Sequence, residues 1–143
     1  MESKKIRIKI VSEKYGEDAS PERTEVFADA EILRDGEKNS IVYSEDENSG
    51  MQGAKTRISF ENNAPSVITM KRGGAGFLSV FVFEKGKKNT CVYRTPIMAF
   101  DIDVCTKNVE NCLFEAGYIS LDYVIEIKGA GAERNCVCIS IVD

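Results

Sequence analysis

Histidine is absent from all 143 positions, and so is tryptophan. Without an imidazole the chain has no Ser-His-Asp or Cys-His machinery, no His-ligated zinc and no ordinary near-neutral proton shuttle. Any chemistry would rest on carboxylates, Cys, Tyr, Lys or Arg, and any aromatic surface on 7 Phe and 5 Tyr. Proline is scarce, with 3 residues. No apolar run approaches the roughly 20 residues that a helix needs to span a bilayer, so no membrane role is expected. Met1-Glu2-Ser3-Lys4-Lys5 runs straight into a charged alternating segment, so no secretory leader is expected. The five cysteines, Cys91, Cys105, Cys112, Cys136 and Cys138, form an odd set. They read as reduced thiols in a cytoplasmic protein. A net charge of −4 and a pI near 5.0 speak against a nucleic-acid partner.

What the chain does have is alternation. Hydrophobic residues make up 43% and charged residues 29%, the balance of one globular domain spanning 1–143. Ile6, Ile8 and Ile10 alternate with Arg7 and Lys9, and Val137, Ile139 and Ile141 with Cys138 and Ser140. A period of two places every second side chain on one face of a strand. Extended segments are predicted over 4–15, 22–33, 38–45, 53–61, 66–72, 77–83, 90–95, 98–105, 118–128 and 134–142. Turns are predicted at Gly16–Pro21, Asp35-Gly36, Asn62–Pro65 and Gly129–Ala132, with an acidic loop over Glu45–Gly50. Val109, Cys112 and Leu113 carry helical spacing, so 108–116 reads either as a helical turn or as strand and loop. Pro96 marks a strand start or an edge. Phe77–Phe83 is apolar on both faces, which implies double cover or a subunit contact.

Long segments joined by tight turns favour a closed antiparallel up-and-down barrel over a sandwich, because closure removes the edges. Several motifs then carry a family likeness. Tyr43-Ser44-Glu45, Gly53-Ala54-Lys55-Thr56, Met70–Gly74 and Tyr93-Arg94-Thr95-Pro96 are followed by Thr106, Gly117, Tyr123 and Asn135. In this order they resemble the YwiB-like family of uncharacterised bacterial proteins, from Ile6 to Ile141. The resemblance implies an all-β, calycin- or lipocalin-like barrel of about eight main strands. It implies no activity. The Cys136-Val137-Cys138 pair and the glycines at Gly74 and Gly76 depart from the family pattern.

Tyr43, Glu45, Thr56, Arg72, Tyr93 and Thr95 form the candidate ligand-binding set. A Glu–Arg pair flanked by hydroxyls can hold the polar head of a small, partly apolar ligand, or it can plug one end of the barrel. No catalytic residue, metal ligand or cofactor is assigned. Cys136 and Cys138 share a face but lack the further ligand that a soft metal needs. Asp101 and Asp103, with Asp29 as a third carboxylate, read as solvated charges rather than a calcium site. Gly73–Gly76 lacks the Lys-Ser/Thr ending of a phosphate loop. Two functions follow: a non-enzymatic barrel that binds a small apolar or amphipathic ligand, or a solid-core interaction protein acting as a homodimer or on a protein partner.

Overall fold

The computed structural model describes residues 1–16, 20–45, 51–127 and 131–142. Parts of the turns expected at Gly16–Pro21 and Gly129–Ala132, and the acidic loop after Glu45, lie outside them. The alternating segments form ten strands: β1 (Glu2–Tyr15), β2 (Glu22–Asp35), β3 (Lys38–Ser44), β4 (Lys55–Glu61), β5 (Ala64–Gly74), β6 (Phe77–Phe83), β7 (Lys88–Arg94), β8 (Ala99–Cys112), β9 (Tyr118–Ile127) and β10 (Gly131–Ile141). Each pairs antiparallel with its sequence neighbour, and β1 with β10 closes the barrel. The barrel class is the one that the alternation predicts. Its strand number is ten rather than about eight, because every extended segment joins the ladder.

The ambiguous stretch 108–116 divides. Strand β8 continues through it to Cys112, past a register shift between Thr106 and Asn108, and only Leu113–Ala116 turns as a helix, α1. Leu113 is buried, and Gly117 ends the turn in the left-handed conformation at φ 77°. This turn covers one end of the barrel. Phe114 lies 5.9 Å from Phe60 with Arg34 stacked 4.2 Å over its ring. Arg34 also donates to Asn39, which donates to Asn62 at 2.7 Å. Asn39 is fully buried, so its amide needs these partners.

Between that end and the barrel waist, Ile8, Ile41, Ile58, Ile68, Phe83, Val104, Ile119 and Ile139 fill the interior. The other half is not filled. Among the described residues, the end where β1, β3, β5, β7 and β9 finish surrounds a cavity of about 670 Å³. Burial thus follows depth as well as alternation, and the barrel is a cup with a packed base.

One part of the wall is thin. Strands β6 and β7 register only at Leu78 and Arg94. Lower down, the Asn89 side chain donates to the Val82 carbonyl at 3.1 Å, where a ladder would use a backbone amide. On β6, Phe81 and Phe83 point inward and are buried, whereas Leu78 and Val80 point outward and are 44% and 40% exposed. The doubly apolar run therefore has cover on its inner face alone. Pro96 lies in the tight turn from β7 to β8, between strands rather than on an edge.

Candidate functional site

The register itself assembles the polar set. Tyr43 on β3 faces Thr56 on β4, Thr56 faces Arg72 on β5, and Arg72 faces Ser79 on β6. All four lie on one cross-strand row inside the barrel, at the boundary between packed base and open cavity. Glu45, just past the end of β3, reaches back over this row and is tied down by its backbone amide, which donates to the Ala54 carbonyl at 2.8 Å.

Arg72 donates its Nε–H to Thr56 Oγ1 at 3.0 Å and an Nη2–H to Glu45 Oε1 at 3.3 Å. Thr56 in turn donates to the same Glu45 oxygen at 2.7 Å. Thr56 is fully buried, and the Glu45 and Arg72 side chains are 8% and 14% exposed. The pair therefore belongs to the interior, where a lone charge is costly and a partnered one is held in place. Tyr43 stands against it. Burial, and then the Glu45 carboxylate, push the Tyr43 phenol up to about 12, against opposing help to the phenolate from Arg72 and Thr56. Its hydroxyl stays protonated.

Tyr93 lines the cavity beside Phe81 and Phe100, with ring centroids 6.3 and 6.2 Å away, and its hydroxyl points to Met51 Sδ at 3.9 Å. Thr95 is elsewhere. Its Oγ1 accepts from the Ile97 and Met98 amides and its amide donates to the Met98 carbonyl, so it shapes the β7–β8 turn. The structure brings five of the six predicted residues to the cavity region and leaves Thr95 out.

Tyr123 was not among the six and belongs to the site. It lies on β9, inward like Ile119 and Leu121, and opposite Asn135. Its alternation with those two apolar residues was the available signal. The phenol is 6% exposed, and burial pushes it up to about 12, partly countered by Arg72 across the cavity. Ile10, Val26, Ile102, Ile125 and Val137 supply apolar wall, with Lys14, Glu22 and Glu133 nearer the opening.

The other sequence candidates do not converge. Asp29 pairs with Arg7 at 3.8 Å, while Asp103 holds Lys88 at 3.4 Å and Thr90 at 2.6 Å on the far wall. The Cys136 thiol is pushed up by burial and by Asp122, which disfavours its thiolate. Among the described residues, no cluster of three or more His, Cys, Asp or Glu side chains could hold a metal ion. No helix among them is long and apolar enough to cross a membrane.

A family model described as a domain of unknown function, DUF1934, matches residues 6–139. The chain belongs to the DUF1934 family. Its barrel is similar to the crystal structure of the ywiB protein from Bacillus subtilis, with a TM-score of 0.77 over 99% of this chain and 94% of that one. The two are 16% identical, so the likeness is one of fold. No curated protein matches the chain. The DUF1934 fold thus spans almost the whole chain, and it agrees with the family likeness carried by the Tyr43, Thr56, Arg72 and Thr95-Pro96 motifs.

Proposed function

We propose that this DUF1934 protein is a non-enzymatic, cytoplasmic binding barrel that carries a small, partly apolar ligand in the open half of its interior. The observation that carries this reading is the cavity of about 670 Å³ whose apolar wall ends on a buried Glu45–Arg72 pair. Ligand pockets have roughly 300–1,000 Å³, an apolar lining and a few placed polar groups. A plug would fill this end of the barrel; among the described residues the pair borders a cavity instead.

Native mass spectrometry of freshly purified protein tests the reading, together with titration by anilinonaphthalene sulfonate. The expected result is an adduct, or uptake of the dye, that the cavity-filling variant Ile125→Trp abolishes while still melting cooperatively. Neither adduct nor dye uptake by the folded wild type would sink the proposal.

A second reading rests on the outer face. Leu78, Val80, Val92, Ile97 and Met98 are 44%, 40%, 49%, 90% and 54% exposed, and all lie along the β6–β7 wall and its adjoining turn. Phe27 and Phe114, also exposed, carry cationic side chains over their rings instead. The uncovered strip would serve a homodimer or a protein partner. Sedimentation velocity decides this: a dimer that Val80→Lys converts to monomer supports it, and a wild type that stays monomeric with no partner-dependent shift removes it.

A further inference from the structure

Resting on the binding reading, we infer that the ligand's buried end is a carboxylate, and that it is recognised by Arg72 and the Tyr123 hydroxyl. The cavity floor offers mainly donors. Arg72 spends one N–H on Thr56 and one on Glu45, and the Glu45 contact is a single-oxygen bond of 3.3 Å rather than a two-bond fork. A guanidinium has five N–H groups, and its strongest arrangement is a planar pair of bonds to one carboxylate. Glu45 does not provide that arrangement, because the oxygen it offers is shared with Thr56.

Tyr123 is the second donor and the more telling one. Its side chain is more than nine-tenths buried, it lines the cavity, and its hydroxyl makes no hydrogen bond to a described side chain. Among the described residues the sealed side-chain polar atom that lacks a partner is Thr106 Oγ1, so the Tyr123 hydroxyl is available because it faces the cavity. Protonated Tyr43 stands beside Arg72 on the same floor. Against these donors, the charged acceptor at the floor among the described residues is Glu45, already engaged twice. An acceptor-only end fits this inventory, and an ammonium does not. The apolar body of such a ligand would lie along Phe81, Tyr93 and Phe100 toward the opening, where Lys14, Glu22 and Glu133 are within the solvent-facing rim.

Calorimetric titration with dodecanoate, 1-dodecanol and dodecylammonium, each below its aggregation limit, separates the possibilities. Dodecanoate is expected to bind at least about tenfold tighter than dodecanol, with dodecylammonium weakest. Tyr123→Phe breaks no side-chain hydrogen bond among the described residues, so it should keep the fold and narrow the dodecanoate preference, costing dodecanoate more than dodecanol. The double variant Glu45→Gln/Arg72→Met removes both charges together and should erase the preference. Equal binding of dodecanoate and dodecanol, or tighter binding of dodecylammonium, overturns the carboxylate assignment and leaves the binding reading standing. Uptake of none of the three overturns both.

Discussion

Removing the Arg72 charge alone should be among the most damaging single changes in this barrel. With its side chain 8% exposed, Glu45 would keep a carboxylate in the interior, with the Thr56 hydroxyl left from its side-chain partners among the described residues. Breaking one side of a buried pair costs about 3–5 kcal/mol, whereas exposed pairs contribute about 0–1 kcal/mol. The exposures of 8% and 14% place this pair in the first regime. Arg72→Met and Glu45→Gln should therefore each lose stability, Arg72→Met by about 3–5 kcal/mol. The double variant should lose far less than the two together, because no charge is left behind. Urea unfolding reads this directly. With a slope of about 2 kcal/mol per molar, a loss of 3–5 kcal/mol lowers the midpoint by about 1.5–2.5 M. A cycle in which both single variants cost under about 1 kcal/mol and simply add would refute the reasoning, since the two groups would then behave as independent surface charges.

Two further outcomes are expected. Tyr43 and Tyr123 titrate near 10.0 when unfolded and at about 12 when folded, so the native state holds their protons longer. Stability from this source is complete below pH 10 and is lost as pH rises toward 12, by roughly 2–3 kcal/mol per tyrosine. Unfolding midpoints measured across that window should fall, and fall less steeply in Tyr43→Phe and Tyr123→Phe. At the rim, a Cβ on Gly76 would sit 3.0 Å from Pro96 Cγ and 3.2 Å from its Cα, at a backbone φ of +84°. Gly76→Ala should cost about 1–3 kcal/mol. Gly86→Ala, at φ +79° with open space around it, isolates the backbone share, and equal losses in thermal melts would deny the Pro96 contact any role.

Much of the architecture could be read from alternation, because a period of two determines which residues face inward once one face is buried. Ile6-Ile8-Ile10 and Ile102-Val104 needed nothing more. All ten segments, short β7 included, could be read from the chain; the figure of about eight came from the family likeness, whereas every segment joins the ladder. The 108–116 stretch escaped because its helical spacing at Val109, Cys112 and Leu113 arises from a register shift before it and one real turn at its end. At the site, Tyr43, Thr56 and Arg72 could be proposed from their motifs, but their meeting depends on register across three strands, which local pattern does not give. Thr95 shared a motif with Tyr93 and lost its place because one residue of the pair belongs to the strand and the other to a turn. Tyr123 was hidden by its company, since a tyrosine in an apolar row reads as core until a cavity is found above it.

The thin β6–β7 wall also bears on how the molecule comes into being. Nine of the ten pairings join sequence neighbours, and the tenth joins β1 to β10. Neighbouring hairpins close short loops and form early, while a pairing across nearly the whole chain pays its entropy late. With β6 and β7 weakly laddered, the barrel divides into two curved sheets, β1–β6 and β7–β10, each held by local pairings. The barrel would then be made by docking these halves along two seams. Until the second closes, the aromatic interior of both halves stands open to water, so the interval between synthesis of β7 and arrival of β10 is when this chain is most exposed to aggregation.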